Sequence, residues 1–490
     1  MLALSEFLVA LILFFLIAHF LKLQWAGRRL PPGPTPLPVI GNLWLLNFHI
    51  HHDQFIQLAK TYGNVFTVWL GQRPVIVLNG YRTVKDALVS HSEELTGRPT
   101  FPLQLATSGS KGIITSNGHI WKQQRRFGLM TLRNLGLGKR SLEERIQEEA
   151  QQLVEVFSAE RGRPIDPLPF IVNAVANVIC SVVFGHRFSI DDDVFHQLIE
   201  ATAFLINARK HAWSRIYDLF PWLMERIPGP HKMLFHHWKQ LRSYIKQEIR
   251  SHREHMTSEP QDLIDFYLNQ ISKTKGDPFS TYDEENMIQV VHDLFLAGSE
   301  TTTTTLRWAV LYMVKYPEIQ EKVQKELDAV LGSSHIICYE DRKRLPYTNA
   351  VIHEVQRYGN IVPVGVPRLC VKQTTLQEFP INKGTIVLPN LSSVLYDPEH
   401  WETPRRFNPS HFLDKEGNFV SKEAFIPFSA GQRVCLGEQL ARTELFIFFT
   451  NLFRAFTFQL PAGTTRINSD IIVAATIQPH PYKICAIQRL

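Results

Sequence analysis

The sequence predicts a mainly α-helical fold with minor β structure, preceded by one N-terminal transmembrane helix. Three observations predict it. Residues 2–21 are almost wholly apolar; helical periodicity dominates from about residue 83 to 350; and only a few short segments between turn residues read as strands. Twenty apolar residues rising about 1.5 Å each span roughly 30 Å, one bilayer core. Glu6 precedes the centre of this run, whereas Lys22, Arg28 and Arg29 follow it. That asymmetry predicts that the remainder of the chain stays cytosolic. A cleaved signal peptide would want a positive start and a small-x-small site, and neither is present.

The next segment has five prolines between Pro31 and Pro38. Proline fixes φ and cannot continue a helix, so a stiff spacer is expected there. The predicted organisation is an anchor over 1–22, a basic, proline-rich hinge over 23–38 and one large domain over 39–490. Within that domain, 65–70 and 75–78 flank a Gly71–Pro74 turn and read as a hairpin, while 384–390 and 471–487 read as strands. The 490 residues carry 52 Lys+Arg against 46 Asp+Glu, a net charge of +6 that is too small to imply nucleic acid. Five scattered cysteines exclude a disulfide framework and a zinc site.

The longest helix expected runs over 282–315, with Thr281 and Glu284 as a capping box and Tyr316-Pro317 as the stop. Its middle, Ala297-Gly298-Ser299-Glu300 and then five threonines from Thr301 to Thr305, is poor helix sequence. We expect a gap in the helix there, where a small ligand sits against Gly298 and the Thr301 hydroxyl. The alternative is a plain bend between packed segments. Further on, Phe428-Ser429-Ala430-Gly431-Gln432-Arg433-Val434-Cys435-Leu436-Gly437 precedes a helix starting at Glu438. Glycines permit tight backbone around the sulfur, and Arg433 and the helix N-terminus favour a thiolate. The other cysteines, Cys180, Cys338, Cys370 and Cys485, read as inert small hydrophobes.

Phe-x-x-Gly-x-Arg-x-Cys-x-Gly resembles the haem-binding loop of the cytochrome P-450 monooxygenases at all its fixed positions. Ala297–Thr302 resembles the oxygen-binding turn of that family's central helix, Glu354-Val355-Gln356-Arg357 its Glu-x-x-Arg pair, and Pro404-Arg405-Arg406-Phe407 the segment whose arginine completes a charged triad. The resemblance spans the chain and is greatest to the microsomal animal family 2. Segments 132–150, 347–357 and 437–449 look most like its J-type fatty-acid epoxygenases.

The resemblance implies the following roles. Cys435 is the axial thiolate of haem b, in a loop bounded by Phe428 and Gly437; Arg98, Trp121, Arg125, Arg368 and Arg433 hold the propionates. Thr301 and Glu300 form a proton relay, and Glu354, Arg357 and Arg406 a buried structural triad. Ala297, Ile361, Val362, Val366 and Thr476 line a lipophilic pocket, to which Arg209 or Lys210 could add a carboxylate partner. The exposed basic set Lys122, Arg126, Arg133, Lys139 and Arg140 would receive NADPH-cytochrome P-450 reductase, with cytochrome b5 and membrane lipid as further partners. The expected activity is hydroxylation or epoxidation of polyunsaturated fatty acids, steroids or foreign compounds at the endoplasmic reticulum. A peroxide-rearranging isomerase and a non-catalytic haem protein are the alternatives. His49, His51 and His52 cluster in sequence but lack the spaced carboxylate or thiolate of a usual metal site.

Overall fold

The computed structural model describes residues 2–46, 51–208, 211–256, 259–332, 335–464, 466–468 and 470–489. The chain divides into two compact units built from interleaved segments. One unit comprises Met1–Pro99, Val362–Arg405 and Glu423–Cys435; the other comprises Thr100–Ile361, Arg406–Lys422 and Leu436–Leu490.

The first unit begins with helix α1, Leu2–Gly27, which is long and apolar enough to cross a membrane. It runs past the expected boundary at residue 22 because Lys22 to Trp25 contain no helix breaker. The first proline arrives only at Pro31. The proline segment is not a free spacer. Thr67 donates its amide to the Pro32 carbonyl at 2.8 Å and its hydroxyl to the Pro31 carbonyl at 2.9 Å. Asn42 donates to the Pro34 and Thr35 carbonyls. The prolines lack amide donors but keep their carbonyls, and the sheet edge uses those.

The sheet of this unit contains β1 Val65–Leu70 and β2 Arg73–Leu78, the expected hairpin, with β3 Arg368–Leu369 and β4 Ile386–Pro389. Its order is β1-β2-β4-β3, with β2 and β4 parallel and the other neighbours antiparallel. Phe55, Phe66, Val68, Val75, Val77 and Leu388 form its core.

The second unit is mainly helical. It contains α2 Gly118–Asn134, α3 Leu168–Val183, α4 Glu284–Lys315, α5 Pro346–Gly359 and α6 Glu438–Ala455. Helix α4 is buried along most of its length and forms the axis of a large apolar core with α3 and α6. Its N-cap is Asp283, whose carboxylate accepts the Asn286 amide at 2.7 Å. Thr281, the expected cap, instead donates its hydroxyl to Gln123 at 2.8 Å.

The expected gap in α4 is absent. The helix continues through 297–305, and the hydroxyls of Thr301 and Thr305 bond back to the carbonyls of Ala297 and Thr301 at 2.8 and 2.9 Å. Such back-bonding satisfies the hydroxyls within the helix, at a slight cost in helix stability. Gly298 serves packing: a Cβ there would overlap the Ile179 side chain of α3. The segment 471–487 resolves into a hairpin of β5 Ile471–Val473 and β6 Ile477–Pro479, followed by the strand Cys485–Gln488.

Helix α5 carries a fully buried ion pair. Arg357 Nε and Nη2 each meet one Glu354 carboxylate oxygen at 2.7 Å. Arg406 joins through its backbone, since its carbonyl accepts Arg357 Nη2 at 3.0 Å while its own side chain is exposed. His411, with Nδ1 3.2 Å from a Glu354 oxygen, and the Asn408 amide at 2.8 Å complete the cluster. The expected charged triad is therefore corrected in its third member. Removing one partner of a buried pair leaves an uncompensated charge. Arg357→Ala should lose about 3–5 kcal/mol in denaturant unfolding, whereas Arg406→Ala should stay within about 0.5 kcal/mol.

Candidate active site

The cysteine loop belongs to the first unit and is closed by short backbone bonds. The Cys435 amide donates to the Phe428 carbonyl at 3.0 Å, and Val434 donates to Gly431 at 3.0 Å. Gly431 has φ +73°, and a Cβ there would run into the Leu88 carbonyl, so no other residue fits. Ser429 also takes positive φ, +65°. Its hydroxyl accepts a bond from Arg368 at 3.2 Å.

Three buried guanidinium groups surround the segment preceding the second unit. Arg433 donates to the Thr96 carbonyl at 2.8 Å, and Arg98 to the Val366 and Pro367 carbonyls at 2.9 and 2.8 Å. Between them, Gly97 and Leu369 exchange backbone bonds, which sets Arg368 beside Arg98 along the chain pairing. The acceptors of these bonds are carbonyls and a hydroxyl. Guanidinium groups have the fork geometry that suits carboxylates.

The thiols differ as expected. Cys180, Cys370 and Cys485 are buried, and burial pushes the first two up in pKa. Cys338 is half-buried and donates to Asp341. Cys435 alone among the five is exposed.

Residues 31–486 match the family model described as Cytochrome P-450. The chain is 46% identical over 484 residues to cytochrome P-450 2J2 of Homo sapiens, covering 99% of this chain and 96% of that protein. It is 45% identical over 483 residues to cytochrome P-450 2J1 of Oryctolagus cuniculus, covering 98% and 96% respectively. To cytochrome P-450 2F2 of Mus musculus it is 43% identical over 459 residues, covering 93% and 94%. The chain belongs to the cytochrome P-450 family.

A cytochrome P-450 is a monooxygenase whose haem b takes a cysteine thiolate as axial ligand. The exposed thiol, the arginine cluster and the neutral acceptors suit such a group. So does Gly437, which has ordinary φ and open space where a Cβ would stand. Gly437 is thus not demanded by local backbone geometry, contrary to the tight turn expected of it. Trp121 is buried and Arg125 half-buried on α2, in the helical unit.

Glu300 and Thr301 lie on α4 in the helical unit. Glu300 Oε1 accepts from Thr304 at 3.1 Å, Thr476 at 2.9 Å and Gln478 at 2.6 Å. Burial raises its pKa, and these three bonds only partly offset that. Thr301 does not bond to Glu300; its proton is committed to the Ala297 carbonyl. Of the expected pocket residues, the structure joins Thr476 to Glu300 and ties Ile361 to the same hairpin through its carbonyl, which accepts the Ile477 amide at 2.8 Å. Ala297 and Val362 are half-buried, and Val366 is 44% exposed. Arg209, Lys210 and His49 lie outside the described residues. His51, His52 and Asp53 bring ligand-type atoms within 4.8 Å of one another, so a carboxylate does accompany the histidines. It is taken up by Arg405 at 2.5 Å, and burial lowers His52 to about 4.

The sequence reading missed two carboxylates of the helical unit. Asp293 accepts the amides of Ile113 and Ile114 at 2.7 and 2.9 Å and so fixes the backbone there. Glu444 lies on α6, 1% exposed, and accepts the Thr302 hydroxyl at 2.9 Å. The signal for Glu444 was its position, one turn from Leu440 and Phe448 on the apolar face of α6. Burial pushes its carboxyl up to about 8. The folded state then binds the proton more tightly than the unfolded chain, so its stabilising share is complete below about pH 4.5 and is lost as pH rises toward 8. Relative to Glu444→Gln, the wild type should lose thermal stability steadily from pH 5.5 to 8.5. A constant difference across that range would contradict the buried-acid assignment.

Proposed function

We propose that this chain inserts one oxygen atom into lipophilic substrates, polyunsaturated fatty acids such as arachidonate foremost, with steroids and foreign compounds also accepted, by hydroxylation or epoxidation. The carrying observation is the cysteine loop: an exposed Cys435 with three buried arginines around it, in a chain 46% identical to a 2J relative. The aliphatic side chains of Ile361, Val362 and Val366 and the small Ala297 support an apolar substrate. Bound haem supplies the iron at which O2 is reduced.

In this reading Cys435 Sγ binds the iron, while Arg98, Arg368 and Arg433, with Trp121 and Arg125, hold the propionates. The Thr301 hydroxyl has given its proton to the Ala297 carbonyl, so its oxygen is left as an acceptor. It therefore holds a proton-carrying water by accepting from it. Glu300, raised in pKa by burial, keeps its proton to a higher pH than an exposed glutamate and is the acid of the pair. An intact acid and alcohol favour oxygen insertion over peroxide rearrangement or silent haem binding.

Electrons come from NADPH-cytochrome P-450 reductase, with cytochrome b5 as a second donor. Lys122, Arg126, Arg133, Lys139 and Arg140 are all exposed, which supports a basic docking face for an acidic flavoprotein. We place α1 in the endoplasmic reticulum membrane with the rest of the chain cytosolic, the charge asymmetry around residues 6–29 being the support. The anchor, hinge and catalytic parts keep the boundaries 1–22, 23–38 and 39–490 in this scheme, although α1 itself reaches Gly27.

Reconstitution with reductase, NADPH and a mixed lipid panel should give oxygenated products by mass spectrometry. Products formed equally without NADPH from lipid hydroperoxides alone would favour the isomerase. Thr301→Val keeps the branched shape but deletes the acceptor oxygen. NADPH consumption should continue while product falls by about 10²-fold or less and peroxide rises. Unchanged coupling would leave Thr301 a structural residue.

A further inference from the structure

Helix α4 presents one continuous face to the β5–β6 hairpin. Glu300, Thr304, Arg307 and Trp308 recur at i, i+4, i+7 and i+8, one side of a helix. Each is tied to the hairpin or to a neighbour on that face. Trp308 Nε1 donates to the Ile477 carbonyl at 3.0 Å, and Arg307 to the Pro479 carbonyl at 3.4 Å. Tyr482, just after the hairpin, donates its hydroxyl back to the Arg307 carbonyl at 2.6 Å. At the other end of the face, Glu300 Oε1 takes the Thr476 hydroxyl and the Gln478 amide, with Thr304 donating from below. The turn joining the strands is otherwise closed by one backbone bond, Ala474 to Thr476 at 3.0 Å. Glu300 is thus the only carboxylate among the described residues recorded as bonding this turn, and it holds the turn from both sides of Ile477.

We propose that Glu300 is the positioning residue for the 474–478 turn, and that it sets the regioselectivity of oxidation by fixing this piece of pocket wall. The proposal rests on the monooxygenase reading only for its product readout; the placement of the turn stands apart from turnover. A single carboxyl oxygen accepting three bonds is a rigid anchor, because three donors converge on one buried acceptor. Ile477 is held by its burial and by bonds to Ile361 and Trp308, so loosening the Glu300 anchor frees chiefly the flanking backbone that carries Ala475 and Thr476. Ala475 is exposed and small, and cannot hold the turn by burial.

Two substitutions separate this role from that of a proton donor. Glu300→Gln removes the acid but keeps a carbonyl oxygen that can accept the same three bonds. Glu300→Leu removes both. Amide hydrogen exchange over 471–479 should accelerate about tenfold or more in Glu300→Leu, stay within about twofold of wild type in Glu300→Gln, and remain unchanged over α5 in both. With arachidonate as the single probe, the ratio of product regioisomers should shift several-fold in Glu300→Leu and hold in Glu300→Gln, whatever happens to the total rate. Gln478→Leu, which loosens the anchor from the hairpin side, should reproduce the exchange and ratio changes of Glu300→Leu in smaller measure. Wild-type exchange over 471–479 in Glu300→Leu would overturn the anchor. An equal shift of the product ratio in Glu300→Gln and Glu300→Leu would overturn the link to regioselectivity. If the monooxygenase reading failed, no oxygenated product would form in the wild type, and the exchange result would still decide the positioning role.

Discussion

A buried guanidinium keeps its charge, because its proton is lost only at pH values no folded protein meets. Burying three of them around one loop is costly unless each is held by hydrogen bonds. Arg98, Arg368 and Arg433 are 9%, 3% and 6% exposed, and the acceptors of their recorded bonds are carbonyls and a hydroxyl. Much of the first unit is arranged to hold them there. The Gly97–Leu369 pairing sets two of them in register, the positive φ of Ser429 offers its hydroxyl to Arg368, and Gly431 lets the loop press against Leu88. The thiol of Cys435 is the one reactive group this arrangement leaves exposed.

The helical unit solves a different problem, which is to keep one long helix continuous through sequence that disfavours it. Back-bonded threonines satisfy their own hydroxyls, and Gly298 admits Ile179. The two acids then work on opposite sides of the axis. Glu300 faces the hairpin, while Thr302, two residues or about 200° further round, hands its hydroxyl to Glu444. Position along α4 therefore decides which neighbour each polar side chain serves.

Legibility in the sequence followed the reach of each constraint. The Cys435 loop was readable because local chemistry and backbone demand coincide within ten residues, and the β1–β2 hairpin because turn residues and alternation are local signals. The docking of the proline segment onto Thr67 was not readable, since carbonyl acceptors leave no mark on composition. Nor was the exchange of Arg406 for His411: the motif names an arginine, but a backbone carbonyl does its bonding. The break expected near Gly298 failed for a related reason. Low helix propensity was read as a gap, and tertiary packing against Ile179 overrode it. Glu444 carries no motif of its own, and only the burial of the apolar face of α6 distinguishes it from a solvated acid.

The central claim is that Cys435, and no other thiol, ligates the haem iron. The reduced, carbon-monoxide-bound spectrum tests it most directly, because thiolate ligation moves the main absorption band to longer wavelength than a neutral ligand does. The account predicts that the wild-type protein and the Cys180→Ser, Cys338→Ser, Cys370→Ser and Cys485→Ser variants all show the shifted band, and that Cys435→Ser loses it while keeping the fold by circular dichroism. A shifted band that survives in Cys435→Ser, or one that disappears on removing any of the other four thiols from a folded protein, would contradict it.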